Sequence, residues 1–370
     1  MTDCLKEDVS IGVVHGNYLR HGGGEYVAEQ IARLFDAPLY YGFSNPGEGP
    51  PEDIESHSLF DDRLVRPLAT RSPSFRDLYY MFSWQYVPEL YEYDVIIQSG
   101  NEMGWFVPKD TQTVVKYVHS TPRTLYDRFP DRGESAFLRL LAPIMRILYF
   151  QNIPYPDTYI ANSELIQRRL ERYWDVDSEV VYPPVDVESF YTAEKEDFYL
   201  TYSRLVPSKC IDEIVRAFKN LPNQKLIVGG SGPQEIYLRE IAPDNVVFRG
   251  FLSEEEKRDL LSRAKALVFA AKNEDFGMVP IEAFASGTPV IGVNEGYTQV
   301  QVQDGINGYL FERGVDNVSS AVRTFSVDGV TASPNEIQQM ATRYSIERFE
   351  QQIETTVTEA INISSIKQKM

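Results

Sequence analysis

Cysteine is nearly absent from this sequence: the 370 residues include only Cys4 and Cys210. Because Cys4 lies at the very start of the chain, we do not expect a structural disulfide, and we do expect a reducing compartment. The four histidines and two cysteines form no cluster with zinc-type spacing. The sequence therefore predicts neither a disulfide-stabilised domain nor a structural metal site.

Long apolar runs and an excess of basic charge are also missing. No run approaches the roughly 20 residues that a membrane-spanning helix needs, and the first residues are too acidic and polar for a secretory signal. Acidic residues outnumber basic ones by 54 to 36, which gives a net charge of −18. Nucleic-acid binding needs a basic surface and is not expected. We predict a cytoplasmic protein that is, at most, peripheral at the cytoplasmic face of a membrane.

Chain length and the alternation of strands and helices predict two domains. A chain of 370 residues is long for one hydrophobic core. Apolar runs alternate with helical segments from Val9 onward, and the alternation starts again at Tyr199, after two prolines and an acidic run. This pattern is typical of doubly wound parallel sheets. We predict an α/β fold with one such domain in residues 1–186, another in 187–343, and an amphipathic helix in 344–370.

The strongest functional signal lies in residues 272–293, KNEDFGMVPIEAFASGTPVIGV. A polar loop and a Phe-Gly turn come first. We predict that a helix then begins at Met278 or Val279 and ends at Ser286-Gly287, because glycine is the usual residue just past a helix C-terminus. A buried strand follows the helix.

Two glutamates of this stretch can face the N-terminus of that helix: Glu274 from the loop and Glu282 from just over one turn inside. Free backbone N–H groups and the helix dipole, beginning at Gly277 and Met278, favour a phosphate there. Most glutamates are simply solvated, so the pair alone does not define a site. Two carboxylate acceptors beside an anion site nevertheless suit a ligand with both phosphate and hydroxyl groups, such as a sugar nucleotide.

Two further loops of the second half contain candidate ligand-binding residues. In SRLVPSKCID, Arg204 and Lys209 follow a predicted strand and offer a planar fork and a point charge to a diphosphate. In VGGSGP, Gly230 and Ser231 form the turn after the next strand, where glycine lets a ligand approach the backbone. Solvated cations and an ordinary tight turn are the alternative interpretations.

The first half adds a glycine-rich turn and a histidine. Gly23 and Gly24 lie in HGGGEYVAEQIA, between a predicted strand and helix, although the spaced pattern of a dinucleotide site is missing. His119 follows another predicted strand in HSTPR, at the edge where open parallel sheets bind ligands. The alternatives are a tight turn without a ligand and a loop histidine that bonds only to backbone.

In combination and order, four of these stretches resemble the motifs of retaining GT-B glycosyltransferases of glycosyltransferase family 4: HGGGEYVAEQIA, SRLVPSKCID, VGGSGP and residues 272–293. The resemblance covers nearly the whole chain. It implies two Rossmann-like domains that face each other across a cleft, with the acceptor on the N-terminal domain and the nucleotide sugar on the C-terminal one. The last helix would cross back to the first domain. It also implies hexose transfer with retention of configuration and without cofactor or metal, and no D-x-D pattern occurs in a loop suited to hold an ion on the diphosphate.

The resemblance also implies a role for each candidate residue. His119 and Glu274 would be catalytic. The donor-binding residues would be Arg204, Lys209, Gly230, Ser231, Gly277, Met278 and Glu282. The loop at the acceptor and the phosphates would contain Gly23, Gly24 and Arg123. In this scheme Glu274 accepts hydrogen bonds from the donor sugar and Glu282 from the ribose. Cys210 departs from the family, since glycine is common at that position.

The HSTPR segment is similar to that of members that transfer mannose, which favours a mannose-type donor, GDP- or UDP-linked, and a glycan or lipid-linked acceptor. Two alternatives remain: a GT-B sugar-nucleotide epimerase and a non-enzymatic two-domain sugar-binding protein. The basic and apolar residues 134–150 form either a buried helix or a segment that contacts a membrane.

Overall fold

The computed structural model of the protein divides into two compact units. Unit 1 consists of the chain up to Pro183 together with the chain from Phe349 onward, and unit 2 is Pro184–Arg348. The structure describes residues 9–60, 64–100, 106–122, 125–126, 143–147, 150–151, 153 and 155–368. Each unit is described separately below.

Unit 1 contains a parallel sheet in which, among the described residues, seven strands lie in the order β3-β2-β1-β4-β5-β6-β7. The strands are β1 (Ile11–Tyr18), β2 (Leu39–Ser44), β3 (Ser56–Ser58), β4 (Val95–Ser99), β5 (Thr113–Val118), β6 (Thr158–Ala161) and β7 (Glu179–Val180). Every residue of β4 and β5 is buried, as expected for central strands that are covered on both faces. The strand order reverses between β1 and β4, so the loops after these strands diverge there and leave a crevice.

Helices cover both faces of this sheet. They are α1 (Gly23–Phe35), α2 (Arg66–Arg71), α3 (Pro73–Ser83), α4 (Glu164–Trp174) and α12, which begins at Ile346 and ends at Gln368. Successive residues of β1 point to opposite faces. Val13 therefore packs with α1 and with Phe349 and Ile353 of α12, while Val14 packs with Tyr80 and Trp84. The C-terminal helix thus completes the core of unit 1.

Unit 2 contains a second parallel sheet, with six strands in the order β10-β9-β8-β11-β12-β13. The strands are β8 (Tyr199–Tyr202), β9 (Leu226–Gly229), β10 (Val246–Gly250), β11 (Ala266–Phe269), β12 (Val290–Val293) and β13 (Gly308–Phe311). Strands β9, β11 and β12 are buried along their whole length. Here the order reverses between β8 and β11, which pair directly.

The helices of unit 2 connect these strands and follow the last one. They are α5 (Ile211–Phe218), α6 (Glu235–Ile241), α7 (Glu254–Arg263), α8 (Met278–Ala285), α9 (Thr298–Gln301), α10 (Val315–Asp328) and α11 (Pro334–Ala341). Helix α8 begins at Met278 as predicted, and Gly287 has the left-handed φ of 61° expected after a helix end. The doubly wound parallel architecture predicted for both halves is confirmed.

Aromatic side chains of α3 and the turn after it divide between core and surface. Tyr80 and Trp84 are buried, whereas Phe82 and Tyr86 are exposed. No helix in the described part of the chain is long and apolar enough to cross a membrane.

Candidate functional site

In unit 2 the predicted binding residues come together at the point where the strand order reverses. The loop after β8 carries Arg204 and Lys209, and the loop after β11, which is the neighbouring strand, carries Glu274. In an open parallel sheet, the carboxyl ends of two such strands form the crevice that binds ligands. The fold alone therefore places these two loops side by side.

A direct contact joins the two loops. Lys209 lies in a short 3-10 turn, Pro207–Lys209, and its Nζ donates a hydrogen bond to Oε2 of Glu274 at 2.7 Å. The side chains are 21% and 25% exposed, so both groups can still reach solvent or a ligand. Opposite charges thus meet at the crevice, and an anion that binds there competes with Glu274 for Lys209.

Glu282 is held from two sides. Lys257 of α7 donates to its Oε1 at 2.9 Å, and the hydroxyl of Tyr202 at the end of β8 donates to its Oε2. Burial and the Glu282 carboxylate raise the pKa of Tyr202 well above its usual value, which keeps the hydroxyl a donor. Burial opposes the charge on Lys257, but Glu282 and Glu254 outweigh it and raise the pKa of this lysine. Since each carboxylate oxygen has two lone pairs, Glu282 retains the capacity to accept further hydrogen bonds.

The glycine loop after β9 packs closely on the loop that carries Arg204. Gly230 has a φ of 108°, and a Cβ atom there would lie 1.8 Å from the carbonyl oxygen of Ser203. The backbone N–H of Leu205 donates to the carbonyl oxygen of Ser231 at 2.9 Å. Loop-to-loop packing therefore already requires glycine at position 230, whether or not a ligand approaches it.

A buried glutamine holds the Phe276-Gly277 turn before α8 through hydrogen bonds. Gln301 of α9 is 3% exposed, and its Nε2 donates to the carbonyl oxygens of Phe276 and Gly277 at 2.9 and 3.2 Å. Phe276 is also buried and stacks on Tyr297. Gly277, with a φ of 83°, is the residue that caps α8. The N–H groups that begin at Met278 are thereby held in place.

Two side chains of the Arg204 loop differ in their surroundings. Arg204 is exposed, and no partner of its guanidinium is found among the described residues. Cys210 is buried and has a left-handed φ of 51°, which explains why glycine suits this position. Burial raises the pKa of its thiol, so the sulfur remains a small apolar group rather than a thiolate.

In unit 1 the candidate residues also meet where the strand order reverses. His119 follows β5, and its Nε2 lies 2.8 Å from Oγ of Ser99 at the end of β4. Nδ1 of His15, in β1, lies 3.3 Å from the same oxygen. Gly24 lies over this pair, because a Cβ atom there would be 3.6 Å from His15 and 3.7 Å from His119. Gly23 is the first residue of α1.

The remaining predictions about the site concern Arg123 and metal ions. Arg123 lies outside the described residues. Among those described, no group of three or more His, Cys, Asp or Glu side chains is arranged to hold a metal ion. One D-x-D sequence, Asp175 to Asp177, lies between α4 and β7 and therefore at the amino-terminal edge of the sheet, away from the strand ends discussed above.

Sequence reasoning missed the partners of the predicted residues. Tyr202 and Ser99 are the last residues of strands that the sequence does predict, so their position at the ligand-binding edge was available as a signal. His15 also ends a predicted strand. Lys257 gave no such signal, because a lysine in a run of glutamates is typical of a solvated helix face.

Comparison with known proteins finds a family match in unit 2. Residues 186–344, nearly all of unit 2, match the family of glycosyl transferases group 1. Unit 2 thus carries the sequence pattern of that family, and the match includes the loops of Arg204, Lys209 and Glu274 as well as Glu282.

Two curated proteins illustrate the similarity. A D-inositol 3-phosphate glycosyltransferase of Mycobacterium sp. (strain KMS) is 26% identical over 298 residues, which cover 71% of this chain and 63% of the relative. The GtfA subunit of a UDP-N-acetylglucosamine–peptide N-acetylglucosaminyltransferase of Streptococcus pneumoniae is 30% identical over 192 residues, 47% of this chain and 38% of that protein. The chain therefore spans less than two thirds of the length of these relatives.

Among solved structures, Anabaena HepE in complex with UDP and glucose superimposes with a TM-score of 0.71. The match covers 95% of this chain and 99% of HepE, at 18% sequence identity. The chain has the GT-B fold. At this level of identity the similarity establishes the fold alone, and the GT-B arrangement explains why both units are Rossmann-like.

Proposed function

We propose that the protein is a retaining hexosyltransferase, a member of glycosyltransferase family 4, that moves a hexose from a nucleoside-diphosphate sugar to a hydroxyl group of a glycan or lipid-linked acceptor. The observation that carries this proposal is the contact between Lys209 and Glu274 at the crevice of unit 2. In this contact a cation suited to phosphate lies next to a carboxylate suited to sugar hydroxyls, in a segment that matches glycosyl transferases group 1.

The groups of unit 2 divide between the parts of the donor. Arg204, Lys209 and the N-terminus of α8 stabilise the negative charge that develops on the leaving diphosphate. Glu274 accepts hydrogen bonds from the hexose hydroxyls. Glu282, oriented by Tyr202 and Lys257, accepts them from the ribose. Cations and backbone N–H groups replace a divalent ion in this scheme.

The reaction follows from these roles. The bond between the anomeric carbon and the diphosphate oxygen breaks, and the acceptor oxygen forms a bond to the same face of that carbon. The acceptor proton passes to the departing phosphate, so no side chain has to act as the base. Attack on the face from which the phosphate leaves retains the configuration. Unit 1 binds the acceptor in this proposal, and His119 contacts the transferred hexose.

The identity of the donor is a separate proposal. The HSTPR segment favours a mannose-type sugar, while the names of the similar proteins mention uridine nucleotides with N-acetylglucosamine or glucose. Nothing in unit 2 selects between guanine and uracil on charge alone, since both bases are neutral. Both nucleotide series therefore belong in the test.

The experiment is a titration of UDP, GDP and their hexose conjugates by isothermal calorimetry, with and without EDTA. It uses the native chain, Glu282→Ala and Arg204→Ala. We expect one nucleotide series to bind in an EDTA-insensitive manner, and each substitution to weaken it at least tenfold, or about 1.4 kcal/mol. A transfer assay with the bound donor then identifies the acceptor class.

Two exposed residues of unit 2 provide matched controls. Glu240→Ala, near the end of α6, and Arg323→Ala, on α10, remove the same charges away from the strand ends that form the crevice and should leave binding unchanged. Binding of free sugars without any nucleotide response would overturn the proposal in favour of a sugar-binding protein. Interconversion of two sugar nucleotides without transfer would indicate an epimerase.

We further propose a cytoplasmic location with peripheral membrane contact through residues 134–150, which would bring the enzyme to a lipid-linked acceptor. Most of this segment lies outside the described residues. Flotation with anionic liposomes tests the proposal: binding that is lost in an Arg139→Glu, Arg146→Glu double variant supports it, and unchanged binding contradicts it.

A further inference from the structure

The histidine assigned to the sugar is the end of a chain of polar side chains in unit 1. Glu25 of α1 lies 3.8 Å from Nε2 of His15, whose Nδ1 lies 3.3 Å from Oγ of Ser99. The same oxygen lies 2.8 Å from Nε2 of His119. His15 and Ser99 are 8% and 2% exposed, so water does not compete freely for these contacts. Four groups from α1, β1, β4 and the loop after β5 are thus connected in one line.

The direction of the hydrogen bonds in this line can be derived from its acidic end. Burial alone would raise the pKa of Glu25, but the contact with His15 outweighs burial and lowers it. Glu25 is therefore ionised and can only accept. The His15 nitrogen that faces this carboxylate, at 3.8 Å, is the one that carries a hydrogen. In the tautomer with this single hydrogen, Nδ1 of His15 is bare.

The remaining donors and acceptors follow from the number of hydrogens that each group carries. A bare Nδ1 on His15 accepts the single proton of the Ser99 hydroxyl. The Ser99 oxygen can then only accept toward His119, so Nε2 of His119 must carry the hydrogen. Desolvation, with a contribution from nearby His15, lowers the pKa of His119 to about 3, so its ring is neutral and has one hydrogen only. Nδ1 of His119 is left as a lone pair.

We propose that Glu25, His15 and Ser99 are positioning residues that hold His119 in its Nε2–H tautomer, so that Nδ1 accepts a hydrogen bond from a hydroxyl group of the ligand. An ionised phosphate has no hydrogen to donate and is disfavoured at this nitrogen. The proposal deepens the function proposed above, on which the identity of the hydroxyl group as that of a sugar rests.

The backbone around His119 supports this role for Ser99. The Nδ2 group of Asn162, a buried residue, donates to the His119 carbonyl oxygen at 2.8 Å and fixes the main chain. The ring of Tyr117 lies 5.0 Å from the imidazole and limits its tilt. Neither contact touches an imidazole nitrogen. Within the described residues, the Ser99 hydroxyl is the group that hydrogen-bonds to the ring and can select the tautomer.

The test is long-range proton–nitrogen NMR on the full chain labelled at histidine. The sequence has only four histidines, so single His→Gln variants assign every ring. We expect the native protein, without ligand, to show His119 with a protonated Nε2 and a bare Nδ1. Ser99→Ala and Glu25→Ala should give mixed tautomers in a protein that remains folded, while Ser99→Thr, which keeps the hydroxyl, should restore the single tautomer.

Activity provides the second measurement. We expect Ser99→Ala to lower kcat/KM for transfer about tenfold and Ser99→Thr to recover it. The matched control is Ser58→Ala, which removes a hydroxyl that donates to the Gly42 carbonyl oxygen in the same sheet. It should change neither the tautomer nor the rate. A native His119 protonated at Nδ1, or an unaltered tautomer in Ser99→Ala, would overturn the proposal. Because the NMR measurement needs no substrate, its result is independent of whether transfer activity and nucleotide binding by unit 2 are found.

Discussion

Single side chains at the crevice of unit 2 already satisfy one another. Glu274 pairs with Lys209, and Glu282 accepts from Lys257 and Tyr202. Such pairs have two consequences for a ligand. They hold the carboxylates in fixed positions, which lowers the entropy lost on binding. They also mean that a diphosphate must compete with Glu274 for Lys209.

That competition predicts an unusual gain of affinity. Glu274→Gln removes the negative charge that faces Lys209 while keeping a hydrogen-bonding group of the same shape. We expect the bare nucleoside diphosphate to bind about two- to fivefold more tightly, in line with the small worth of a partly exposed ion pair. The nucleotide sugar should lose its advantage over the bare nucleotide, because a carboxylate acceptor for the hexose is gone. Calorimetry of both ligands measures this, with the exposed Glu240→Gln as control. Weaker diphosphate binding would mean that Glu274 orients Lys209 rather than competing for it.

The support of Glu282 gives a second prediction. Tyr202→Phe removes only the hydroxyl that donates to Glu282, and so leaves this carboxylate less firmly oriented toward the ribose of the proposed donor. We expect nucleotide affinity to fall about tenfold, on the order of 1.4 kcal/mol, without loss of folding. The matched control is Tyr237→Phe, since Tyr237 is an exposed residue of unit 2 whose hydroxyl binds Arg216. Equal affinities in the two variants would show that Lys257 alone is enough to orient Glu282.

Helices and strands could be predicted where the sequence pattern that defines them lies within one short stretch. The predicted strand Val290 to Val293 and the start of α8 at Met278 agree with the structure, because a buried apolar run and a glycine-flanked helix are local patterns. The contact of Lys257 with Glu282 was not predictable, since it depends on how α7 lies against α8. The same holds for the line from Glu25 to His119, whose members come from four separate elements. Candidate ligand-binding residues could be proposed from the sequence, but their contacts with residues of other elements could not.

The loops after β8 and β9 act as one element, and Gly230 tests this. Gly230→Ala introduces a Cβ atom that would lie 1.8 Å from the Ser203 carbonyl oxygen, at a positive φ. We expect a loss of about 3 kcal/mol or more in unfolding free energy, from strain and overpacking together. Gly305 has a φ of 72° but no atom within 4 Å of an added Cβ, so Gly305→Ala should lose only about 1 kcal/mol. Equal losses in urea denaturation would mean that the backbone angle alone requires glycine.

Lys195, near the start of unit 2, hydrogen-bonds to the last turn of α7 and to the segment after α8. Its Nζ donates to the carbonyl oxygen of Ser262 at 2.8 Å and to Oγ1 of Thr288 at 2.6 Å, and burial lowers its pKa from 10.5 to about 8. Between these pKa values the unfolded chain binds more protons than the folded one, so the stability due to Lys195 rises with pH. We expect the native protein to gain about 2 kcal/mol over Lys195→Met between about pH 7.5 and 9.5. Urea denaturation at both pH values measures the difference; exposed Lys219→Met should show none, and a pH-independent difference for Lys195→Met would contradict the lowered pKa.

For the whole molecule, the two units are covalently interleaved, because the chain leaves unit 1 at Pro183 and returns to it at Phe349. The returning helix α12 supplies core residues rather than a surface cover: Phe349, Ile353 and Val357 are at most 2% exposed and pack with β1 and α1. Unit 1 therefore cannot complete its core until residues 349–360 have been made. Unit 2, by contrast, is continuous in sequence.

This asymmetry predicts that a substitution near the C-terminus destabilises the N-terminal unit. Ile353→Ala opens a cavity in the core of unit 1 and should lower its unfolding free energy by about 2–5 kcal/mol. Ile363→Ala, on the same helix but 49% exposed, removes the same atoms and should cost well under half as much. In calorimetry, Ile353→Ala should lower the melting transition of unit 1, while the transition that the bound nucleotide stabilises, assigned to unit 2, should stay in place. A shift of the nucleotide-sensitive transition, or equal shifts in the two variants, would mean that α12 does not belong to the core of unit 1.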